Sequence, residues 1–362
     1  MTAFALPSTR EEAWRWSDLS ALPALADAAN DAPAVRDAGQ HFLGCGGPRL
    51  VFVDGRFDAA QSDPGSVTLG PTKARSDHPL ARLATGEGWT LSLGTGHAPS
   101  HTVQIVHIAT GGASHLPARI ALAADAQASV VETFVGDGWA NRLTEITLRK
   151  GARLMRSLRL MQDTGFVSLR EQATIGEGAS LVTVALGAGG AGSRIDGALS
   201  LAGEGAYAEL GGALLVRGDQ RQEAAVVVRH DAPGGTSRQL WRAVADEKAV
   251  ASLAARVEVA RDAQKTDGEQ SLRGLILTRG ATINLKPELE IFADDVKCAH
   301  GATVGELDRA ALFYLASRGI PPPEAQALLT RAFIADAFGR IGEEKVREAF
   351  VGDADAWLGG RR

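Results

Sequence analysis

The motif GARLMR at residues 151–156 decides the fold, because close variants recur as GASLVT at 178–183 and GAYAEL at 205–210. The three copies begin at positions 151, 178 and 205, so the interval between them is constant. In each copy a Gly-Ala pair suited to a tight turn precedes a run typical of a β-strand. Further Gly-Ala pairs begin at Gly280 and Gly301. If the interval between positions 205 and 280 holds three units, the repeat is about 20–27 residues long and contains only strands and turns.

A repeat of this kind predicts a β-solenoid, in which each coil buries its inward side chains on the coils above and below. Segments of alternating polarity extend from about residue 86 to residue 305, and no long helical pattern separates them. This arrangement argues against βαβ units. From the pattern alone, a β-sandwich or jelly roll remains an alternative, since both also contain many short strands joined by turns.

The repeat region is flanked by segments of different character. The first fifty residues are predicted to be largely helical, with a start near Ser8 followed by Glu11 and Glu12. The run LVFVDGRF at 50–57 predicts a β-hairpin turning at Asp54-Gly55. Residues 60–85 are polar and contain three prolines, which predicts a loop or linker.

Three amphipathic helices are predicted after the repeats, over residues 306–317, 324–338 and 343–350. They either cap the solenoid and pack on one another or form a docking platform for another protein. The residues expected to face such a partner are apolar: Leu312, Phe313, Leu315, Leu328, Leu329 and Phe333. The chain therefore divides into an N-terminal helical region with hairpin and linker (1–85), a solenoid core (86–305) and a C-terminal helical domain (306–362).

The composition is that of a folded globular protein with unusually small side chains. The 362 residues include 42 glycines, and only 5% of them are aromatic, which suits a stack of sharply turning coils. The net charge of −5 argues against nucleic acid as a partner. No apolar run is long enough to span a membrane, no signal-peptide pattern is visible, and the two cysteines suit a reducing compartment. These features predict a cytoplasmic protein.

Catalytic signatures are missing from the sequence. The glycine-rich stretch 187–192 lacks the Lys-Ser/Thr of a phosphate-binding loop, and no zinc-protease, serine-hydrolase or Cys-x-x-Cys motif occurs. We therefore expect a non-enzymatic protein that binds no nucleotide itself. The alternative is a β-solenoid carbohydrate-active enzyme, which would need clustered carboxylates where this sequence has scattered ones.

One segment carries possible metal chemistry, KCAHG at 297–301. Cys298 and His300 are two positions apart, so on a strand both side chains would lie on the same side. A thiolate beside an imidazole suits zinc or iron, although two ligands are half of a tetrahedral site. Cys45 is too distant in sequence to be recruited, so the missing ligands would come from a second chain. From spacing alone, a buried structural cysteine and histidine are favoured over a metal site.

The segment 286–305, KPELEIFADDVKCAHGATVG, resembles the signature of the SufB/SufD family of SUF iron–sulfur cluster assembly proteins. Four other segments agree with this family and extend the resemblance over nearly the whole chain: 11–19, 50–57, 264–277 and 312–320. The chain lacks the additional cysteines of SufB-type members, so within the family it is similar to the SufD type.

The resemblance implies a right-handed parallel β-helix with helical ends and a complex with SufB and the ATPase SufC. It implies that SufB pairs with the β-helix and that SufC docks on the C-terminal helices. His300 would then be a ligand of a transient iron–sulfur cluster shared with SufB, with Cys298 as its neighbour. A homodimer that pairs where SufB would sit is the alternative assembly.

Overall fold

The computed structural model describes residues 6–30 and 37–360. Its strands are β1 (Arg49–Val53), β2 (Arg56–Phe57), β3 (Val67–Pro71), β4 (Glu87–Leu93), β5 (Thr102–Leu122), β6 (Gln127–Leu148), β7 (Arg153–Leu160), β8 (Phe166–Ile175), β9 (Ser180–Gly187), β10 (Gly192–Leu201), β11 (Tyr207–Val216), β12 (Arg221–His230), β13 (Thr236–Ala245), β14 (Val250–Val259), β15 (Asp267–Ile276), β16 (Thr282–Ile291) and β17 (Lys297–Glu306). The helices are α1 (Leu22–Asp27), α2 (Arg309–Ser317), α3 (Pro322–Ile334) and α4 (Glu344–Gly359).

The strands wind into a parallel β-solenoid with two strands in each coil. Strands β7, β9, β11, β13, β15 and β17 pair in parallel and form sheet A. Strands β8, β10, β12, β14 and β16 form sheet B in the same way. The long strand β6 belongs to both sheets, since its first part pairs with β7 and its second part with β8. The predicted parallel β-helix is therefore confirmed.

The coils are not all of one length, and the later ones are longer than the predicted repeat. In sheet A, Arg153 pairs with Ser180 and Ser180 with Tyr207, which matches the constant interval of the sequence motif. Farther along, Thr236 pairs with Asp267, so this coil holds more of the chain. The interval between Gly205 and Gly280 therefore holds two and a half coils instead of three. Gly280 lies in the turn from β15 to β16, at the opposite edge of the solenoid from the turn that contains Gly205. Gly301 lies inside β17.

The repeated glycines stack along one edge of the solenoid. Gly151, Gly178 and Gly205 have φ values of 65°, 58° and 66°, a left-handed conformation that costs other residues free energy. Each glycine N–H donates to a carbonyl of the next coil's turn, at 2.8–3.0 Å. Asp125 and Lys265 adopt the same conformation without being glycine, with φ of 57° and 63°. The repeat therefore continues in the structure where the Gly-Ala signal disappears from the sequence.

The N-terminal region contains less helix than predicted. The described part has short 3₁₀ turns and the single-turn helix α1, while residues 1–5 and 31–36 lie outside the described residues. The hairpin at Asp54-Gly55 is confirmed by the antiparallel pairing of β1 with β2. The predicted loop or linker at 60–85 also holds β3, which pairs antiparallel with β4 and starts the solenoid. Trp14 and Leu22 pack against Trp139 and Phe166, so this region covers part of the outer face of sheet B.

The three predicted C-terminal helices are confirmed, and the third continues to Gly359. Helices α3 and α4, with the 3₁₀ turn Ala335–Phe338 between them, pack on the outer face of sheet A, on the side of the solenoid and not across its end, whereas α2 contacts mainly α3. Their contacts with the sheet join Phe338, Phe350 and Trp357 to apolar residues of sheet A such as Leu215 and Val244. Two ion pairs reinforce the attachment: Arg159 with Asp353 at 2.7 Å and Arg242 with Asp336. No helix of residues 6–30 and 37–360 is long and apolar enough to cross a membrane.

Candidate functional site

The last coil of the solenoid is left uncovered. Strand β16 pairs with β14 and strand β17 with β15, and no described residue pairs with the other edge of either strand. Strand β17 is exposed along nearly its whole length. The turn between the two strands presents Phe292, of which 60% is exposed. This end of the solenoid thus offers free backbone groups and apolar side chains together.

Cys298 and His300 lie in this last coil, on the side of β17 that faces the solenoid interior. Cys298 pairs in register with Gly268, and a Cβ atom on Gly268 would lie 3.4 Å from the Cys298 Sγ. His300 pairs with Gln270, which is fully buried. Strand β17 therefore brings the two predicted residues to one side of the chain, next to the open end.

The Cys298 thiol is half-buried and packs against the apolar side chains of Val257, Ala263 and Leu289. Burial raises the pKa of this thiol, and the nearby carboxylate of Asp267 raises it further. The backbone N–H of Gly268 lowers the pKa but does not outweigh these two effects. A thiolate is the form that binds metal. In the isolated chain the thiol therefore keeps its proton, and a metal ion would have to displace it.

Two glutamines form polar layers beneath His300. Gln270 lies one coil below it and Gln239 one coil farther, both fully buried. Their side-chain amides donate across the interior to backbone carbonyls of sheet B, Gln270 to Glu288 at 3.2 Å and Gln239 to Arg256 at 3.1 Å. The Oε1 atom of each has no partner in the described part of the chain. These layers cannot be predicted from the sequence, because the residues that stack across coils are known only once the length of each coil is known.

The residues that the structure describes do not complete a metal site. In the described ranges no group of three or more His, Cys, Asp or Glu side chains is placed to hold an ion. Cys45 packs beside the C-terminal helices, in a different apolar cluster from Cys298. Burial also raises the pKa of the Cys45 thiol. A cluster or ion at Cys298 and His300 would therefore need ligands beyond those that the described residues bring together.

The six apolar residues proposed for partner docking divide into two groups. Phe313 and Leu328 are exposed, with 77% of Phe313 open to solvent, and Leu312, Leu315 and Leu329 are partly buried. Phe333 instead packs with the cluster that joins the helices to sheet A. Tyr314, which is not among the six predicted residues, is also exposed. An apolar surface on α2 and α3 thus points away from the solenoid.

Comparison with known proteins gives consistent matches. The family model described as SUF system FeS cluster assembly, SufBD core domain, matches residues 106–333. The iron–sulfur cluster assembly protein SufD of Escherichia coli is 28% identical over 370 residues, covering 95% of this chain and 87% of that protein. The chloroplastic protein ABCI7 of Arabidopsis thaliana is 30% identical over 226 residues, covering 60% of this chain and 48% of that protein. SufD of Bacillus subtilis is 30% identical over 152 residues, covering 42% and 35%.

Proposed function

Because the chain belongs to the SufBD family of SUF iron–sulfur cluster assembly proteins, we propose that it is a non-enzymatic scaffold subunit of a SUF assembly complex. The observation that carries this proposal is the uncovered last coil, with Cys298 and His300 at its open end. A half-site that faces a free edge is what a subunit needs when a second chain supplies the remaining ligands. We place the complex in the cytoplasm, where both thiols stay reduced.

The partner at the open end is proposed to be a SufB-type subunit whose own terminal coil stacks on β16 and β17. Free strand edges present unpaired N–H and C=O groups that favour addition of another strand. Pro287 in β16 cannot donate a backbone hydrogen bond, which is tolerated on an edge strand. Phe292 and Val304, exposed in the single chain, would be buried by this contact.

His300 and Cys298 are proposed to offer one imidazole nitrogen and one thiolate to a cluster that the complex builds and passes on. The cluster is cargo, and the partner subunit supplies the other ligands. In the isolated chain the thiol keeps its proton, so binding requires the partner and the iron together. This coupling would favour cluster formation in the complex over iron capture by the single subunit.

The exposed surface of α2 and α3 is proposed to dock a SufC-type ATPase, which binds the nucleotide. The helix α4 is held to sheet A by Arg159 and Asp353, so a pull on α2 and α3 would be transmitted to the solenoid. Dimerisation of two ATPase subunits on ATP binding would then strain the contact between the two solenoids. Opening of that contact would admit iron and sulfide.

Co-expression of the chain with SufB-type and SufC-type subunits tests this assembly. We expect a stable complex of all three proteins, measured by size-exclusion chromatography with light scattering. A homodimer that persists without SufB under these conditions would refute the pairing.

The site is tested by His300→Ala, which should leave the fold and the complex intact and lower cluster content after reconstitution. Thr303→Ala is the matched control, because Thr303 lies on the same strand and faces outward. Equal cluster content in the two variants would make His300 a structural residue.

A further inference from the structure

A groove with a volume of about 400 Å³ runs between the N-terminal segment and the outer face of sheet B, on the opposite side of the solenoid from the C-terminal helices. Trp14 and Trp16 line it on the side of the N-terminal segment. Its size and mainly apolar lining are typical of small-molecule sites. Nothing in the proposed scaffold function uses this groove.

The floor of the groove follows one register column across sheet B. Arg170, Asp196, Ala225, Ala254 and Lys286 are neighbours in that order on β8, β10, β12, β14 and β16. Four strand spacings of about 4.8 Å separate the two ends of the column by about 19 Å. The two alanines leave a flat apolar surface in the middle, with a cationic side chain at each end.

The cation at the Lys286 end is neutralised by acidic side chains. The Lys286 ammonium lies 2.6 Å from Glu12 and 3.2 Å from Glu288. Deeper in the groove, Arg194 makes two 2.8 Å hydrogen bonds to Asp196 and a 2.7 Å ion pair with Glu223. The Nε2 atom of His78 lies 3.1 Å from the same Asp196 carboxylate, so both oxygens of Asp196 already have partners other than Arg170.

Arg170 differs from Lys286 and Arg194 because no carboxylate of residues 6–30 or 37–360 forms an ion pair with it. Arg15 also lines the groove and has no ion pair within those ranges, but it is exposed, whereas Arg170 is partly buried. Its Nε atom donates to the neutral amide of Gln172 at 3.3 Å. Burial lowers the pKa of Arg170, Asp196 offsets this in part, and the nearby Arg194 guanidinium lowers it further. A half-buried guanidinium stays charged, and without an anion its desolvation costs free energy.

We propose that this groove binds a small planar aromatic anion, with its carboxylate or phosphate on Arg170 and its ring between Trp16 and the alanine floor, since the Arg194 guanidinium already stacks on the Trp14 ring at 3.8 Å. The guanidinium group pairs with both kinds of anion through two parallel hydrogen bonds. The two alanine side chains in the middle of the groove offer no hydrogen bond to a polar ligand. An aromatic ring instead buries apolar surface against Trp16 and Ala254, which favours its binding.

The test uses 2-naphthoate and its uncharged analogue 2-naphthamide, titrated into the full chain by calorimetry. We expect the carboxylate to bind at least about tenfold more tightly than the amide, because a charge-assisted hydrogen bond contributes this much. Arg170→Gln should abolish the difference, and Arg170→Lys should retain part of it. Trp16→Ala should weaken both ligands.

Arg229→Gln is the matched control, since Arg229 lies on the outer face of the same sheet and is ion-paired with Asp231 and Glu258. It should leave both affinities unchanged. Absence of naphthoate binding at millimolar concentration would overturn the proposal, and so would equal affinity for wild type and Arg170→Gln. Circular dichroism of Arg170→Gln and Arg170→Lys shows whether each variant folds. If Arg170→Gln does not fold, the affinity of Arg170→Lys for naphthoate is compared with that of the wild type instead.

Discussion

His300 lies directly above Gln270, its register partner one coil deeper, and the Oε1 atom of Gln270 is buried without a hydrogen-bond partner in the described part of the chain. An acceptor in this place can take one ring N–H of the imidazole and leave the second nitrogen to face the open end. Histidines that bind metal commonly have their other nitrogen fixed in this way. No hydrogen bond joins the two side chains among the described residues. We expect one to form once iron binds the other ring nitrogen of His300.

Replacing Gln270 with Leu removes that acceptor while keeping a side chain of similar size. We expect the variant to assemble into the complex but to hold iron or cluster about 10- to 100-fold more weakly, measured by iron content and visible absorption. Gln239→Leu is the control, because Gln239 has the same environment one coil farther from His300. Equal losses in the two variants would show a general packing effect.

Gly178→Ala tests the left-handed turn of the repeat. A Cβ atom there meets no other atom within 4 Å, so the cost comes from the φ of 58° alone and should be about 1–2 kcal/mol in unfolding free energy. Gly301→Ala also adds a methyl group into open space, but without a positive φ, and should cost less than about 0.5 kcal/mol. Urea unfolding of both variants decides whether backbone conformation explains the repeated glycine.

Asp353→Asn should loosen the C-terminal helices from sheet A. It leaves the nearly buried Arg159 without its anion, and we expect a local loss of about 1–3 kcal/mol. Hydrogen exchange of α4 should accelerate while the strands of the solenoid keep their protection. Asp355→Asn removes a more exposed pair with Arg331 and should have little effect on the same amides.

Phe313→Ser tests the proposed docking surface on α2. Because the side chain is 77% exposed, the variant should keep the stability of the wild type and lose at least about tenfold in affinity for the SufC-type ATPase, measured by calorimetry. Val351→Ser on α4 is the control for an exposed apolar residue outside that surface. Unchanged binding by Phe313→Ser would exclude α2 from the contact.

Acid should destabilise the fold through a buried network inside the solenoid, where Arg156 pairs with Glu132 and Glu171. Burial alone would raise the pKa of Glu132, but Arg156 and His107 outweigh it and lower the pKa to about 2. Burial also lowers the pKa of His107 to about 4. Both shifts mean that the unfolded chain binds more protons. Stability should therefore fall between pH 6.5 and 4 through His107, and between pH 4.5 and 2 through Glu132.

Arg156→Met should reverse the effect of acid on the free energy of unfolding. It removes the cation that pairs with two buried carboxylates, so we expect a loss of about 3–5 kcal/mol at pH 7. Protonation of the carboxylates should relieve part of that loss as the pH falls from 7 to 5. Urea unfolding at both pH values measures the effect, and a loss independent of pH would contradict the assigned network.

The sequence by itself predicted a repeated β fold and placed Cys298 and His300 on one side of a strand, while the choice between a solenoid and a sandwich stayed open from the pattern alone. Alternating polarity and the glycine turns at 151, 178 and 205 specify strands and left-handed corners, because both depend on neighbouring residues alone. The spacing of Cys298 and His300 on a strand likewise places them on one side. The C-terminal helices follow from their apolar period, and the hairpin from Asp54-Gly55.

Only the tertiary structure decided which residues meet across coils. Gln270 lies under His300, and Arg170 lies beside an Asp196 already taken by Arg194, because strands separated by a whole coil of sequence pair in one register. That register is set by the packing of whole coils, whose lengths vary, and Asp125 and Lys265 turn the chain where no glycine marks the corner. The attachment of the C-terminal helices to the side of the solenoid, which leaves its end open, depends in the same way on long-range packing.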